Sequence, residues 1–231
     1  MSAVFSLAFS ALTFWLIWRL LRTVWRWVAG GTSNALDKLK YRLGDANDWA
    51  IALARPMAVH SISGGFDAGE VETFTDELKG HVRLSVLLQL GLPSHLNDDQ
   101  VRRELQQHLA RRWYCLDINE LRATDDWRDG MAFACMRVAF SLRCALFLGW
   151  IDEATQWRLL RLNALRAQEC FDSWHDYGCA AARGRRQWIA QSRTDNLGTA
   201  FTEQQVTQWL SEGVHPWRGM PWKLDLQVAG R

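Results

Sequence analysis

From Met131 to Trp150 the chain runs MAFACMRVAFSLRCALFLGW, almost continuously apolar and broken by Arg137, Ser141 and Arg143. A stretch of this length and composition has to leave water, either by crossing a bilayer or by becoming the central helix of a protein core. The two arginines decide between these. Each would cost about 2.5–3.5 kcal/mol at mid-membrane, so the run predicts a buried helix at the centre of a helical bundle. Inside such a core an arginine needs a carboxylate, a bound anion or a narrow solvent-facing stripe.

The flanking sequence supports the same class. Only four prolines occur in 231 residues, and hydrophobic and charged residues make up 48% and 23%, ordinary values for one globular domain. Asp152 predicts the start of a helix through Tyr177, a break near Gly178, and a further helix through Trp188. Upstream, 70–90 predicts a helix stopped by Gly91 and Pro93, and Asn97 or Asp98 can cap the next, with Val101, Leu105, Leu109 and Trp113 four apart. An apolar segment near residue 50 ends or kinks at Pro56. Thr202 and Gln205 match a capping box for a short helix through Leu210. The tail HPWRGMPW, 215–222, predicts an extended strap lying on the bundle. The expected fold is all-α, a compact multi-helix bundle-like domain with a central apolar helix, preceded by an N-terminal hydrophobic anchor helix.

That anchor is the second strong feature. Residues 1–18 carry no charged side chain; Arg19, Arg22 and Arg26 then alternate with apolar residues and tryptophan. Leu20, Leu21, Val24 and Val28 extend the apolar surface while Arg19 can snorkel. Trp15, Trp18, Trp25 and Trp27 stand where a membrane interface would place them, and the basic flank puts the body in the cytoplasm. No basic n-region or small-x-small cleavage site marks a secretory signal. A span, a helix lying in the interface plane, and a hairpin packed on the body or a partner all fit this stretch. The organisation expected is 1–29 as a transmembrane or interfacial helix, 30–45 as linker and short amphipathic helix, and 46–231 as the helical domain. The location is the inner membrane, single-pass or peripheral.

Charge is partitioned the same way. Arg19 to Arg42 holds six basic residues and one aspartate, a net of +5, against +2 for the whole chain, so the remainder from residue 43 sums to −3. A body with that balance points away from nucleic acid. The five cysteines include no C-x-x-C pair and predict buried free thiols.

The stretch 170–188, CFDSWHDYGCAAARGRRQW, holds the residue types of catalysis without their arrangement. His175 and Cys179 are four apart, as metal ligands can be, but no second pair completes a zinc site. Ser173 has no elbow motif, and His175 and Asp176 are adjacent on a helix, so they diverge. Arg183, Arg185 and Arg186 can bind an anion or pair with acids such as Asp172 and Glu169. An anion-binding cleft would draw on Arg137, Arg143 and Arg185, with Asp172 or His175 nearby. No catalytic constellation, cofactor motif or metal set is recognisable, which points away from an enzyme.

The block from Met131 to Trp188 resembles the DUF1266 family of bacterial proteins. The likeness rests on LGWIDEATQW (148–157), AQECFDSW (167–174), Tyr177 and GRRQW (184–188), together with the closing HPWRGMPW. The family's aromatic–acidic step before the central arginine has no counterpart in FACMR (133–137). The resemblance implies an all-helical fold in Gram-negative bacteria, with a role at the envelope or beside secreted toxins, and transfers no activity. Gly149, Trp150, Phe171, Trp174, Gly184 and Trp188 carry the match. As aromatics and glycines they suit helix packing and close approach, a structural motif rather than a catalytic one. The function expected is a membrane-attached interaction protein that touches membrane lipid and a protein partner, as adaptor or toxin-immunity protein. The alternative is an enzyme or small-ligand binder acting on a phosphate-bearing or lipid-like anion.

Overall fold

The computed structural model describes residues 46–58, 76–111, 121–191, 200–211, 215–224 and 226, all within the unit that spans 44–231. The expected anchor 1–29 and the linker 30–45 lie outside the described residues. Those described form nine helices and no strand. They are α1 (Ala46–Ala52), α2 (Arg55–Ala58), α3 (Asp76–Gln89), α4 (Asp98–Arg111), α5 (Trp127–Phe147), α6 (Glu153–Cys170), α7 (Trp174–Ala190), α8 (Glu203–Ser211) and α9 (Pro216–Gly219).

The apolar run becomes α5, the axis of the domain. Asp126 caps its start by accepting the Arg128 N–H at 2.7 Å. Its end is a Schellman turn: Gly149 takes φ +70°, Trp150 N–H reaches the Ala145 carbonyl and Gly149 N–H that of Leu146, both at 2.9 Å. Among the described residues α5 is the one helix long and apolar enough to cross a membrane, yet 94% of its apolar window is buried inside the domain. Helices α6 and α7 supply most of that cover, with α1, α2 and α3 adding to it. Its hydrophobicity is thus satisfied by protein.

Helix α6 starts at Asp152, whose side chain accepts the Thr155 N–H at 2.7 Å. It turns one stripe inward: Gln156, Leu159, Leu160, Asn163, Ala164 and Ala167. The stripe's spacings of three and four are those of an amphipathic helix. The Asn163 amide donates to the Cys135 carbonyl at 2.8 Å, tying α6 to α5. Gln156 is fully buried and neither of its amide atoms has a hydrogen-bond partner. An isosteric apolar side chain removes that desolvation penalty, so Gln156→Met should raise stability by about 1 kcal/mol, read as a higher urea midpoint at unchanged slope.

The helix break falls at Phe171–Ser173 rather than at Gly178. Phe171 is extended, and Ser173 caps α7 by accepting the Asp176 N–H at 3.1 Å, which starts a new helix. Gly178 is inside α7 because a side chain there would overlap the Val206 methyl at 2.7 Å and the Trp217 ring at 2.8 Å. Gly184 is tighter. A Cβ would lie 2.0 Å from the Asp129 carbonyl oxygen, so α5 and α7 meet backbone to backbone at this position.

Caps legible from local spacing form as expected. Asn97 and Gln100 exchange reciprocal bonds at 2.9 Å before α4. Gln205 N–H reaches Thr202 Oγ1 at 3.2 Å while Gln205 Oε1 accepts from Thr202 N–H at 2.9 Å. Helix α3 is described from Asp76, so 70–75 of the expected helix lie outside the described residues. It ends at Gly91, φ +66°, in a second Schellman turn. The strap is helical for one turn, α9, with Pro216 at its start, and extended beyond it.

Candidate functional site

The charged residues at the α5–α7–α8 seam form three groups of ion pairs, two of which cross between helices. Arg128, in the first turn of α5, grips Asp176 of α7 with two bonds of 2.9 and 2.5 Å and stacks 4.7 Å over the Phe171 ring. Arg128 holds the Asp176 carboxyl below its usual range. Two turns further along α7, Arg183 grips the buried Asp129 through Nε and Nη2, at 2.9 and 2.8 Å. Its Nη1 reaches Glu203 of α8 at 3.0 Å, and Arg186 holds the other Glu203 oxygen at 2.9 Å. Arg186 first, and then Arg183, lower the Glu203 carboxyl. At the rim Arg122 and Gln191 hold Asp125, whose carboxyl falls to about 2, chiefly through the Arg122 bond. A carboxylate gripped by guanidinium is a poor general base, so the seam joins three helices rather than presenting reactive groups.

Arg183 and Arg186 therefore pair with Asp129 and Glu203, while Glu169 faces Arg166 at 3.6 Å. The sequence reading missed Asp129, Arg128 and Glu203. For Arg128 and Asp129 the one local signal is the alternating charge of DDWRDG ahead of the apolar run.

Of the three arginines expected to bind an anion, Arg137 and Arg143 stand on different sides of α5. Arg137 donates to the Gln89 carbonyl at 2.7 Å and lies 3.8 Å over the Trp188 ring. Arg143, buried, stacks 4.7 Å from the Phe147 ring. Six positions separate them on α5, which is about 9 Å along the axis and about 240° around it. Arg185 is half-buried on α7. Asp172 and His175 stand at the opposite end of α7 from Trp188, about 20 Å away by helical rise.

His175 is exposed, 3.3 Å from Thr207 Oγ1 and 3.7 Å from the Cys179 sulfur. Burial raises the Cys179 thiol and Glu203 adds to it, so the sulfur stays protonated, the wrong state for a nucleophile or a metal ligand. No group of three potential metal-ligating side chains occurs among the described residues. Cys135, Cys144, Cys170 and Cys179 are free thiols. The cavity between Gly130, Phe133, Gly184, Gln187 and Trp188 has a volume of about 10 Å³, room for one water molecule.

The matched aromatics and glycines sit at joints. Gly149 turns the chain out of α5, and Trp150 donates its indole N–H to Asp98 at 3.1 Å. Trp188 packs at 6.1 Å against Phe133 and under Arg137. The strap assembles the largest cluster, in which each indole nitrogen finds a carbonyl across a chain crossing. Trp49 donates to Pro221 (3.0 Å), Trp174 to Met220 (2.9 Å), Trp217 to Ala52 (2.8 Å) and Trp222 to Phe171 (2.7 Å). The Tyr177 hydroxyl adds a bond to Leu53 O at 3.0 Å. Trp174 stacks on Trp217 at 5.1 Å and meets Trp222 edge-on at 4.8 Å. Aromatics whose polar ends are all engaged fill a core rather than hold a ligand. The membrane-interface candidates Trp15, Trp18, Arg19, Arg22, Trp25, Arg26 and Trp27 lie outside the described residues.

Fold and seam together define an all-α domain whose polar side chains join its helices. The chain belongs to the DUF1266 family, a protein family of unknown function, matching it over residues 45–222. No curated protein and no solved structure matches the chain.

Proposed function

We propose that this protein is a membrane-attached interaction module whose helical body binds a protein partner at the cytoplasmic face of a Gram-negative inner membrane, as an adaptor or toxin-immunity protein. The observation that carries the reading is the head: no charged side chain in residues 1–18, then Arg19, Arg22 and Arg26 interleaved with tryptophan. Each basic residue held near an anionic leaflet contributes about 1 kcal/mol, in addition to the apolar burial. The body supports a binding role because the polar groups that resembled chemistry are engaged in the seam or in caps. Leu84 and Leu88, on one face of α3, are about half exposed, at 49% and 53%. The arginine-cleft alternative has less support, since Arg137 and Arg143 point to different sides of α5.

Fractionation tests this reading. The full chain should sediment with membranes and need detergent for release, while a chain lacking residues 1–30 should be soluble with an unchanged helical spectrum. Copurification from detergent-solubilised native membranes should then recover a stoichiometric protein partner. Equal solubility of both chains would remove the membrane claim; a membrane-bound chain that hydrolyses or binds an anionic lipid without a partner would favour the alternative.

A further inference from the structure

The joint between α8 and the strap holds a titratable ring that the fold uses in its neutral form. His215 caps α9 with its side chain: Nδ1 accepts the Trp217 N–H at 3.3 Å. The same ring lies flat on Trp209 of α8, centroids 5.0 Å apart and planes 6° from parallel, and meets Trp217 edge-on at 5.1 Å. Since Nδ1 is an acceptor, the proton of the neutral ring is on Nε2, which is buried without a hydrogen-bond partner. The groups facing it are the Trp209 indole from α8, Trp217 from α9 and, as the charged group acting on it, Arg55 of α2.

The geometry points to His215 as an acid-sensitive latch, whose protonation releases α9 and the tryptophan strap from Trp49 of α1 and Trp174 of α7. A proton on Nδ1 sets two donors against each other across the Trp217 N–H, so the cap bond is lost. It also places a cation beside Arg55, with no carboxylate among the described residues acting on the ring. The Trp209 face attracts a cation, but it supplies neither an acceptor for Nδ1–H nor one for Nε2–H.

Burial first, and Arg55 second, push the docked ring down to about 4, against 6.5 for a solvated histidine. Undocked, the ring takes up its proton at the higher pH. Docking is therefore at full strength well above pH 6.5 and weakens as pH falls towards 4, by about fortyfold in the docking equilibrium between 6.5 and 4.5. Among residues 215–224, His215 is the one side chain that titrates in this window; the Trp N–H to carbonyl bonds holding the strap do not. What release uncovers is Trp49, Trp174 and Tyr177, buried in the docked form.

Hydrogen exchange on the full chain in detergent, corrected for intrinsic rates, tests the latch. Between pH 7 and 4.5, peptides covering 215–224 should lose protection by tenfold or more while α5 keeps its own. His215→Asn retains a side-chain acceptor at the cap and does not titrate, so its strap protection should stay flat. Strap loosening of equal size in both chains, or a strap that opens only when α5 does, overturns the proposal. If the variant does not fold, the wild type decides by NMR. The His215 Cε1 shift and strap protection must then move together, and loosening out of step with that titration overturns it.

Discussion

Gly184→Ala should abolish the native packing of α5 against α7, although alanine is the better helix former. At an exposed helical position the exchange gains up to about 1 kcal/mol. Gly80 on α3, where a Cβ would meet nothing within 4 Å, is that position, and Gly80→Ala should be neutral or stabilising. At Gly184 the new methyl would sit 2.0 Å from the Asp129 carbonyl oxygen and 2.7 Å from its carbon, with the Phe133 Cβ at 3.0 Å. Two of these are backbone atoms, which no rotamer change can move. The helices would have to separate by more than an ångström, opening the most extensive helix contact among the described residues and pulling Arg183 away from Asp129. A loss above about 4 kcal/mol follows, in the range reserved for overpacked cores and broken buried networks. Urea unfolding of the two alanine variants side by side checks it. Equal midpoints for them would mean that α5 and α7 do not touch at this crossing.

What the sequence could reveal divides along the distance between partners. Met131–Trp150 was readable as a buried helix because its apolarity and its two arginines are local properties. Asp152, Asn97 and the Thr202–Gln205 pair were readable as caps for the same reason: donor and acceptor are three residues apart. The break at Phe171–Ser173 was missed because Gly178 is the stronger local breaker. It is outweighed by Val206 and Trp217, which need a position without a side chain and approach from 28 and 39 residues downstream. Arg183 was visible as a charge, but its partner Asp129 is 54 residues away and depends on how α5 crosses α7. The tryptophan cluster joins Trp49 to Pro221 across 172 residues, so composition could announce its abundance and nothing in the pattern could pair it. His215 looked like one more residue of an extended tail. Its cap bond to Trp217 exists because Pro216 starts a single helical turn there.

The second large effect is an asymmetry within one ion pair. Arg183→Met should cost about 3–5 kcal/mol, whereas Asp129→Asn should cost about 1–2 kcal/mol. The side chain of Asp129 is 8% exposed and that of Arg183 36%. Removing the guanidinium therefore leaves a carboxylate that water can scarcely reach. Removing the carboxylate charge leaves a guanidinium that is partly solvated and still bonded to Glu203 at 3.0 Å. Glu203 itself tolerates either change, because Arg186 holds its other oxygen. The double variant Asp129→Asn/Arg183→Met should be less damaged than Arg183→Met alone, giving a coupling of about 2 kcal/mol in a double-mutant cycle. Single variants of equal cost would mean that water reaches Asp129 and that the α5–α7 seam is held by packing alone.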